Sequence, residues 1–566
     1  MKNGTNGDNV TFLVRNIKIP YTVPTAEAET RAAAALTRAL GRYNTPAVTE
    51  TKLYKVSLDA RKKPEIAFVC AVLVTARCRR RQAEETVSKN PDISVFEETE
   101  FVIPHGTEDM NGRPLIVGFG PAGMFAALLL AEQGMKPVIL ERGDDVGDRV
   151  AAVERFYRTK RLDPDSNIQF GAGGAGTFSD GKLMTRIGDP KCAYILRRFA
   201  EFGAGEDILV KSKPHVGTDV LTAVVSNLRD HLIRLGCEFH FRTTMKQLLW
   251  KDNARGLRQV YGVLTDRGEI SCGAVLLALG HSARDTCEAL LSDGMELVPK
   301  PFSVGVRIEH LQADINIAAY GDAARATSAC GATGRDLLLP PAEYAVSMKE
   351  RGIPGGIEPR GVYSFCMCPG GEVMAAASEV GGVVVNGMSR SRRDGRNANA
   401  ALAVSVRTED YGNTPRGAIA YQRALEQAAF LAGGGGYAAP VQTVGDFLVG
   451  KYGTEPSKVQ PSYMGGNVTL CDLHTVLPPF VTELLSSGIR FFDRQLPGFS
   501  DSAALLTGVE TRTSSPVRML RGGDHTALGC ENVYPVGEGA GYAGGITSAA
   551  ADGLNAALAL LAKYKV

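Results

Sequence analysis

The stretch Pro114-Leu115-Ile116-Val117-Gly118-Phe119-Gly120-Pro121-Ala122-Gly123 decides how this chain folds. Its first four residues are apolar and predict a short buried strand, and the Ala- and Leu-rich segment Pro121–Gln133 predicts the helix that follows. The apolar segment Pro137–Glu141 predicts a second strand within the span of a single strand–helix–strand unit. The stretch therefore predicts the opening of a doubly wound α/β sheet.

The glycines of this stretch follow the G-x-G-x-x-G spacing of a dinucleotide-binding turn. Gly118 permits the tight turn, Gly120 lets the backbone approach a pyrophosphate, and Gly123 lets the helix pack closely on the sheet. The helix that begins at Pro121 and Ala122 presents unpaired N–H groups and a partial positive charge to the phosphates. Strand, turn, helix and second strand together make an ordinary glycine-rich turn the weaker interpretation.

An acidic residue stands at the end of the second predicted strand. Glu141 follows Gly118 by 23 residues, close to the offset of the carboxylate that binds a ribose hydroxyl. This carboxylate would repel a 2′-phosphate, so NADP is disfavoured at this turn. Arg142 and Arg149 come next and are further candidates for contact with the cofactor.

A second glycine-rich turn lies near the carboxyl end of the chain. The apolar segment Val533–Gly537 predicts a strand, and a helix is predicted to begin near Ile546. The predicted cofactor contacts of this turn are Gly537, Glu538, Gly545 and Ile546. Glu538 can hold a ribityl chain, and the helix N-terminus after Gly545 can face a flavin ring. Two such turns far apart in sequence are what one elongated dinucleotide requires, and they favour FAD.

The segment Gly171–Gly176 repeats the glycine spacing but is not predicted to be a second nucleotide turn. The residues before it are too short and polar for a buried strand, and no convincing helix follows. It is predicted to be a flexible loop with backbone N–H groups against a flavin or substrate, or else a plain surface loop. Gln169 and Gly174 from this region, and Gly280 after the apolar run Ala274–Leu279, complete the predicted cofactor contacts.

The order of predicted elements divides the chain into four parts. Residues 1–104 read strand, helix, strand, strand, helix, strand, the order of a ferredoxin-like domain, with Val95–Ile103 as the last strand. Residues 113–310 and 501–566 form an FAD-binding Rossmann-like domain, and residues 311–500 form an inserted α+β substrate domain. The predicted class is thus α/β with two additional domains.

Composition excludes several other classes of protein. The chain has 566 residues, 44% of them hydrophobic, and a formal net charge of +2, which favours neither nucleic acid nor an acidic membrane as a partner. Its 11 cysteines follow no regular framework, and its polar start, Met1 to Val10, is not a secretory signal. These features predict a cytoplasmic protein with free thiols and no membrane span.

Several segments resemble a family of bacterial FAD-dependent dehydrogenases, large flavoproteins with an N-terminal accessory domain. The resemblance implies a glutathione-reductase-like FAD domain and a redox activity, and it identifies no substrate. Glu538 stands where many flavoproteins have Asp, which adds a methylene group to the ribityl contact. The segments that carry the resemblance are Asn167–Gly171 through Asp180–Lys182, Gly280–Asp285, Lys300–Gly305, Tyr363–Gly371, Glu510–Pro516 and Gly537–Gly545.

Four residues are candidates for the chemistry beside a flavin. Arg512 could clamp a substrate carboxylate with two hydrogen bonds, or form a structural ion pair with Glu510. His281 could be an acid or base, or a strand-end histidine bonded to the backbone. Lys182 and Arg307 could bind an anion, or be solvated surface charges.

The remaining motifs give weaker signals. Cys366 and Cys368 form C-x-C before Pro-Gly-Gly, which favours incidental thiols over the C-x-x-C of a disulfide reductase. No His and Cys spacing predicts a metal site. The basic run Arg390–Arg393 is predicted to be a solvated turn, with contact to an anionic substrate as the alternative.

These patterns predict an FAD-dependent oxidoreductase that transfers a hydride between the flavin and a small anionic organic substrate. No second nucleotide domain is evident, so we expect slow or indirect reduction by NAD(P)H. The alternatives are a flavoprotein that works with RNA through residues 1–104, and a non-catalytic FAD-binding scaffold. The basic runs Arg61–Lys63 and Arg77–Arg81 favour the RNA alternative, and the absence of RNA-stacking aromatic motifs opposes it.

Overall fold

The structure is a computed structural model that describes residues 8–40, 48–98, 100–185, 188–252, 256–331, 338–350 and 359–566. Within these ranges, no helix combines the length and the apolarity needed to cross a membrane. Within the same ranges, no cluster of His, Cys, Asp and Glu side chains has the arrangement of a metal site.

The amino-terminal part is a four-stranded antiparallel sheet of order β2-β3-β1-β4. Alternate residues of its strands, such as Phe12 and Val72, are buried together with Leu36 of the first helix. The last strand ends at Val95, earlier than the predicted Ile103, because charged glutamates follow it and offer no apolar alternation. Its elements are β1(Asp8–Pro20), α1(Glu27–Leu40), β2(Val48–Asp59), β3(Ala67–Cys78), α2(Arg80–Lys89) and β4(Ile93–Val95).

The decisive stretch forms the centre of a five-stranded sheet. All four neighbouring pairs are parallel, and the strand order is β23-β11-β5-β6-β7. Every residue of β5 and β11 is buried, as expected for parallel strands covered on both faces. The strands are β5(Pro114–Val117), β6(Val138–Leu140), β7(Glu238–His240), β11(Ala274–Leu277) and β23(Val533–Pro535).

Helices cover one face of this sheet, and a small antiparallel sheet covers the other. The first and last helices of the group, α3 and α13, pack so closely that a Cβ on Gly553 would lie 2.1 Å from the Ala122 carbonyl oxygen. The small sheet contains a hairpin that turns at residues 266–267. The elements are α3(Pro121–Glu132), α4(Val146–Thr159), α5(Lys191–Phe199), α6(Asp207–Val210), α7(Thr218–Arg234), β8(Met245–Asp252), β9(Arg258–Thr265), β10(Gly268–Ser271), α8(Arg284–Ser292) and α13(Ile546–Lys563).

A seven-stranded sheet, β14-β15-β18-β13-β21-β19-β20, forms the central part of the chain. Helix α12 packs on it, and a two-stranded ribbon, β16 with β17, lies beside it. A second ribbon pairs β12 with β22. The elements are β12(Leu297–Pro299), β13(Phe302–Leu311), α9(Gln312–Tyr320), β14(Ser347–Lys349), β15(Gly361–Cys368), β16(Gly371–Ala375), β17(Val385–Ser389), β18(Asn397–Val406), α10(Pro415–Ala432), β19(Ala439–Thr443), α11(Val444–Val449), β20(Val468–Leu470), α12(Pro479–Phe492), β21(Leu505–Glu510) and β22(Val517–Met519).

The central sheet extends beyond the predicted insertion at both ends. Strands β13 and β21, predicted to belong to the nucleotide-binding parts, pair with each other, and β13 also pairs along its whole length with β18. Nine of the ten residues of β13 are buried because the strand has neighbours on both sides. The central sheet thus begins near residue 302, where 311 was predicted, and ends near 510, where 500 was predicted.

Candidate functional site

A cleft of about 530 Å³ lies between the parallel sheet and the central sheet. Its floor includes the residues at the carboxyl ends of four parallel strands, Val117, Leu140, Ala278 and Val536. This edge of an open α/β sheet is where such folds bind ligands. Most of the predicted site residues meet in this one cleft.

The first glycine turn forms one end of the cleft. Gly118, Gly120, Pro121 and Ala122 line it. Gly118 has a φ of +102°, and a Cβ there would lie 2.3 Å from the Ala278 carbonyl oxygen. The turn can therefore take its shape only with glycine at this position.

Gly123 does not line the cleft, although it was predicted among the cofactor contacts. A Cβ at Gly123 would lie 2.0 Å from the Gly118 carbonyl oxygen and 3.2 Å from the Ile116 side chain. Its role is the close packing of helix on strand that the glycine spacing predicts.

Glu141 lies in the cleft and organises the backbone around it. One carboxylate oxygen accepts a hydrogen bond from Phe119 N at 2.9 Å, and the other accepts from Gly143 N at 2.9 Å and Gly171 N at 3.0 Å. An ionised carboxylate has about four acceptor positions, so one remains for a ligand hydroxyl. The side chain is buried, and its remaining acceptor position suits the predicted ribose contact.

Arg142 also lines the cleft, but its guanidinium is held by the protein. It donates two hydrogen bonds of 2.9 Å to Asp285 and one of 3.1 Å to Asp165. Its Cζ lies 4.2 Å from the centre of the Phe170 ring. This arrangement fixes a flat cation in the wall of the cleft, where the predicted cofactor contact remains a prediction.

Arg149 was predicted to contact the cofactor, and the structure corrects this prediction. It is only 1% exposed and does not line the cleft. Burial lowers the pKa of Arg149 to about 10. Its guanidinium donates only to main-chain oxygens, those of Asn167, Ile168, Gly171, Ala172 and Gly174.

Arg149 thereby fixes the loop that repeats the glycine spacing. No strand precedes this loop, and only a short 3-10 turn, Ala175–Phe178, follows it, so it is not a second nucleotide turn. Gly171, Gly174 and Gly176 line the cleft. The loop lines the cleft and Arg149 holds its main chain through hydrogen bonds, while its predicted flexibility and its contact with a flavin or substrate remain predictions.

Gln169 lies in the cleft within a buried polar chain. Its side-chain oxygen accepts a 3.1 Å hydrogen bond from Ser282, whose hydroxyl also accepts one of 3.0 Å from Arg512. Its amide donates to the Ala376 carbonyl oxygen. Gln169 thus connects the clamped loop to the arginine that was predicted to be catalytic.

Arg512 lines the cleft, and its carboxylate partner is Glu426, not the Glu510 considered from sequence. It donates to both oxygens of Glu426, at 3.1 and 2.8 Å, and Arg284 grips the same carboxylate from the other side at 2.6 and 2.9 Å. Burial alone would raise the pKa of Glu426, but the two arginines reverse this and hold it well below its ordinary value. Much of the donor capacity of Arg512 is therefore already used inside the protein.

His281 and Glu538 meet in the cleft although 257 positions separate them. His281 Nδ1 lies 3.5 Å from a Glu538 carboxylate oxygen. His281 Nε2 is buried and has no hydrogen-bond partner within the described residues. Gly280, directly before the histidine, also lines the cleft.

Gly537 was also predicted to contact the cofactor, but it lies behind the cleft wall. Its N–H donates to Asp552 at 2.7 Å. A Cβ at this position would lie 2.8 Å from the Ala122 side chain. Gly537 therefore serves the contact between β23 and α3.

The amino end of α13 supplies another wall of the cleft. Gly544, Gly545 and Ile546 line it, and the helix continues for 18 residues. The first N–H groups of such a helix have no acceptor within the helix. Together with the amino end of α3, they give the cleft two sets of backbone donors.

Lys182 lies at the end of the cleft that faces the central sheet. It donates to the Met367 carbonyl oxygen, and its Nζ lies 3.7 Å from Asp180. Asp180 is buried and is paired by two hydrogen bonds with Arg393. The run Arg390–Arg393 is thus solvated only in part, because Arg393 is 7% exposed.

Arg307 is fully buried behind the cleft wall and does not line it. It donates to Glu510 at 2.5 and 3.1 Å, to Asn386 and Asn399 at 2.9 Å, and to the Cys366 carbonyl oxygen at 2.9 Å. The predicted roles as an anion-binding group or a solvated charge are both wrong. Arg307 holds three cleft-lining residues, Glu510, Asn386 and Cys366, in place.

The central sheet contributes a wall of the cleft that was not predicted from the sequence. This wall and its neighbourhood include Lys213, Glu343, Tyr344, Ala345, Ser364, Phe365, Cys366, Met367 and Asn386. The residues at 361–368 carry the signal that could have found this wall, since an alternating strand there ends in the C-x-C-Pro-Gly-Gly turn.

The cleft fits FAD by its own geometry. A Cβ on Gly174 would lie 3.0 Å from Gly120 Cα, so side chains at these two glycines would fill the space between turn and loop. Glu141 retains an acceptor position. His281 Nε2 is a buried ring nitrogen that has no hydrogen-bond partner within the described residues. Backbone donors from α3 and α13 suit a diphosphate and an electron-rich ring.

Two family models match the segments that line the two sides of this cleft. Residues 116–182 match the NAD(P)-binding Rossmann-like domain, and residues 301–513 match the family described as FAD-dependent protein, C-terminal domain-like. An uncharacterized protein of Clostridium beijerinckii is 43% identical over 520 residues, which is 91% of this chain and 93% of that protein. The alignment with that relative includes nearly all of both chains.

Solved structures give more distant likenesses. Glycine oxidase from Bacillus cereus is 11% identical, with 80% of this chain and 95% of that chain covered and a TM-score of 0.31. L-amino acid deaminase from Proteus vulgaris is 13% identical, with 83% and 97% covered and the same TM-score. CtdE in complex with FAD is 11% identical, with 80% and 84% covered and a TM-score of 0.30. At these values the likenesses carry no argument about activity.

The family matched by residues 301–513 is described as FAD-dependent, and the relative matches nearly the whole chain. The chain therefore belongs to a bacterial family of FAD-dependent proteins of the flavoprotein oxidoreductase class, with FAD as its cofactor.

Proposed function

We propose that this protein is an FAD-dependent oxidoreductase that transfers a hydride between the flavin and a small, anionic organic substrate. The observation that carries the proposal is the continuity of the cleft. One space is lined by the glycine turn, by His281 and Glu538, and by charged residues of the central part. A substrate entering from the central sheet would therefore share this space with the cofactor.

The charges at the central end of the cleft favour an anion. Four cations, Lys182, Lys213, Arg307 and Arg393, stand against three carboxylates, Asp180, Glu343 and Glu510. This leaves one excess positive charge at this end. Lys182 has three N–H donors, and the Met367 carbonyl oxygen occupies one of them, so it retains donors for a substrate carboxylate.

His281 and Glu538 are the candidates for proton handling. A carboxylate oxygen of Glu538 lies 3.5 Å from His281 Nδ1, and this contact favours the tautomer with a proton on Nδ1. Nε2, which has no hydrogen-bond partner within the described residues, then carries a lone pair that can hold a proton. Bound FAD supplies the two-electron chemistry itself.

Arg512 acts in this proposal as a positioning residue. Glu426 and Arg284 fix its guanidinium, which donates to Ser282 and so supports Gln169. A direct substrate clamp, one of the two interpretations from sequence, is less suited to an arginine whose donors are largely occupied.

We also propose the finer description of the fold and the setting. The antiparallel order β2-β3-β1-β4 with two helices supports a ferredoxin-like amino-terminal domain. The strand–turn–helix and its later partner at α13 support a glutathione-reductase-type FAD domain. The cytoplasmic location remains a prediction, and so does slow or indirect reduction of the flavin by NAD(P)H.

The test is anaerobic reduction of the bound flavin by a panel of small carboxylates, each paired with a neutral analogue such as its amide. The visible flavin absorbance is followed, and the reverse reaction is run with reduced flavin and the corresponding keto or unsaturated acids. We expect at least one anionic compound to exchange electrons with the flavin and its neutral analogue to do so at least about tenfold less efficiently, the effect of one lost charged hydrogen bond.

Lys182→Gln should raise KM for that compound and leave the flavin spectrum unchanged. Lys349→Gln is the matched control, because Lys349 is exposed on strand β14 and does not line the cleft. The proposal is overturned when no compound in the panel exchanges electrons in either direction, or when the neutral analogues react equally well.

A further inference from the structure

The two cysteines of the C-x-C motif stand apart from the other thiols of the described chain. Burial raises the pKa of eight others: Cys70, Cys78, Cys192, Cys237, Cys272, Cys287, Cys471 and Cys530. Cys366 instead lines the cleft, and Cys368 is fully buried beside it. The pair is therefore the set of thiols to consider beside the cofactor.

A β-bulge turns Cys366 out of the regular strand. Phe365 is opposite Ala401 and Cys368 is opposite Asn399, so three steps along β15 match two along β18. Cys366 has a φ of +43°, a conformation that residues other than glycine rarely adopt. Bulges and such backbone strain concentrate beside reactive sites, where they aim a side chain.

The same bulge shortens the separation between residues 366 and 368. A regular strand separates Cα atoms two residues apart by about 6.8 Å, near the upper limit for a disulfide. The left-handed conformation at Cys366 shortens that separation. The Cys368 thiol donates a hydrogen bond of 3.2 Å to the Cys366 carbonyl oxygen, so its sulfur lies against the backbone of residue 366.

Cations surround this segment from two directions. Arg307 donates to the Cys366 carbonyl oxygen and lies 4.0 Å from Cys368 Sγ, while Lys182 donates to the Met367 carbonyl oxygen. The neighbouring Cys368 thiol, aided by these cations and opposed by burial and Asp180, lowers the pKa of Cys366. The neighbouring Cys366 sulfur, together with burial, raises the pKa of Cys368.

A short chain of contacts links the C-x-C segment to the amino end of α13. Thr547, the second residue of that helix, donates to the Leu183 carbonyl oxygen at 2.8 Å. The preceding residue, Lys182, donates to Met367 between the two cysteines. The thiols thus lie at the end of the cleft where α13 offers its N–H groups to a flavin.

We propose that Cys366 and Cys368 are a redox-active dithiol–disulfide pair that exchanges two electrons with the flavin, with Cys366 as the sulfur that meets small thiols and disulfides from solution. When the S–S bond forms, two S–H bonds break, and two electrons and two protons pass to the oxidised flavin. The reverse reaction restores both thiols. The proposal depends on bound FAD but not on the carboxylate substrate proposed above.

The decisive measurement is a count of electrons in the complete FAD-loaded protein. Oxidised protein is titrated anaerobically with dithionite until the flavin is fully bleached. We expect the wild-type chain to take up about four electrons per flavin, two for the flavin and two for the disulfide. Cys366→Ser should take up about two, and the control Cys330→Ser should behave as wild type, because Cys330 does not line the cleft.

A second measurement reads the sulfur atoms directly and needs no flavin signal. Protein is quenched with iodoacetamide before and after anaerobic reduction with dithiothreitol, and the peptide containing residues 361–371 is weighed. We expect an unalkylated peptide, lighter by two hydrogen atoms, from the oxidised protein and a doubly alkylated one after reduction. In the reduced protein, alkylation of Cys366 should remain fast near pH 6, well below the ordinary thiol pKa of about 8.5.

The proposal is overturned when the wild-type chain takes up only about two electrons per flavin and both cysteines are alkylated in the oxidised protein. The wild-type peptide masses decide the question even when Cys366→Ser does not fold. A chain that takes up four electrons but reduces no carboxylate would support the thiol pair and overturn the proposed substrate, so the two failures are distinguishable.

Discussion

Glu141 is the residue on which the nucleotide end of the cleft most directly depends. Its carboxylate accepts hydrogen bonds from Phe119, Gly143 and Gly171, and these fix the glycine turn and the clamped loop around the cofactor. Glu141→Gln replaces one acceptor by an NH₂ group that opposes a backbone N–H. We expect FAD to bind about 10- to 100-fold more weakly, the cost of losing a charge-assisted hydrogen bond.

The quenching of FAD fluorescence on titration into apoprotein measures this affinity. Glu154→Gln is the control, because Glu154 is exposed on α4 and does not line the cleft. Equal dissociation constants for the Glu141 and Glu154 variants would contradict the assigned role of the carboxylate.

The positions of residues near the cleft were predictable where a short sequence pattern fixes the local backbone. The glycine spacing and the offset to Glu141 were enough to predict the nucleotide end of the cleft, because a strand–turn–helix imposes local geometry. The arginines were not predictable, since each takes a partner far away in sequence. Arg512 pairs with Glu426, and Arg307 is held by Glu510; a single sequence does not reveal which carboxylate reaches which guanidinium.

At the scale of elements, the contact between α3 and α13 fixes the two sets of backbone donors relative to each other. A Cβ on Gly553 would lie 2.1 Å from the Ala122 carbonyl oxygen and 2.8 Å from its carbonyl carbon. Both atoms belong to the main chain of α3 and have little room to move. Gly553→Ala must therefore push the helices apart, and we expect it to lower the free energy of unfolding by about 1–3 kcal/mol.

Urea unfolding followed by circular dichroism measures that cost, and flavin retention on gel filtration reports the cleft. Gly147→Ala is the matched control: it is also a helical glycine, and nothing lies within 4 Å of a Cβ built there. We expect it to stabilise the chain by up to about 1 kcal/mol through helix propensity. The same effect from both substitutions would show that the helix contact does not limit the fold.

The elements themselves followed from the sequence with unequal success. The buried parallel strands were predicted within two residues because continuous apolar runs between turns are distinctive. The strand predicted at Val95–Ile103 was mostly wrong, and the bulge in β15 was not foreseen. A bulge depends on the register with a neighbouring strand, β18, which a single sequence does not display.

At the scale of the whole molecule, one parallel sheet serves one dinucleotide. The sequence match to an NAD(P)-binding Rossmann-like domain, residues 116–182, covers the same glycine turn that lines the FAD cleft. The described residues contain one parallel sheet of this kind, and the other large sheets are antiparallel or mixed. The boundary of the central part was misjudged because β13 resembles a buried strand of either sheet until its partners are known.

This architecture predicts how the protein responds to nicotinamide nucleotides. A hydride donor needs its own binding surface within reach of the flavin, and the glycine turn is the predicted site of FAD. We therefore expect anaerobic NADH or NADPH to bleach the bound flavin more slowly than about 1 s⁻¹, the lower edge of ordinary turnover. Stopped-flow absorbance with each nucleotide measures the rate, and complete bleaching by dithionite is the control for reducible flavin. Saturable bleaching faster than about 10 s⁻¹ by either nucleotide would contradict the prediction, because it would require a second nucleotide site beside the cleft.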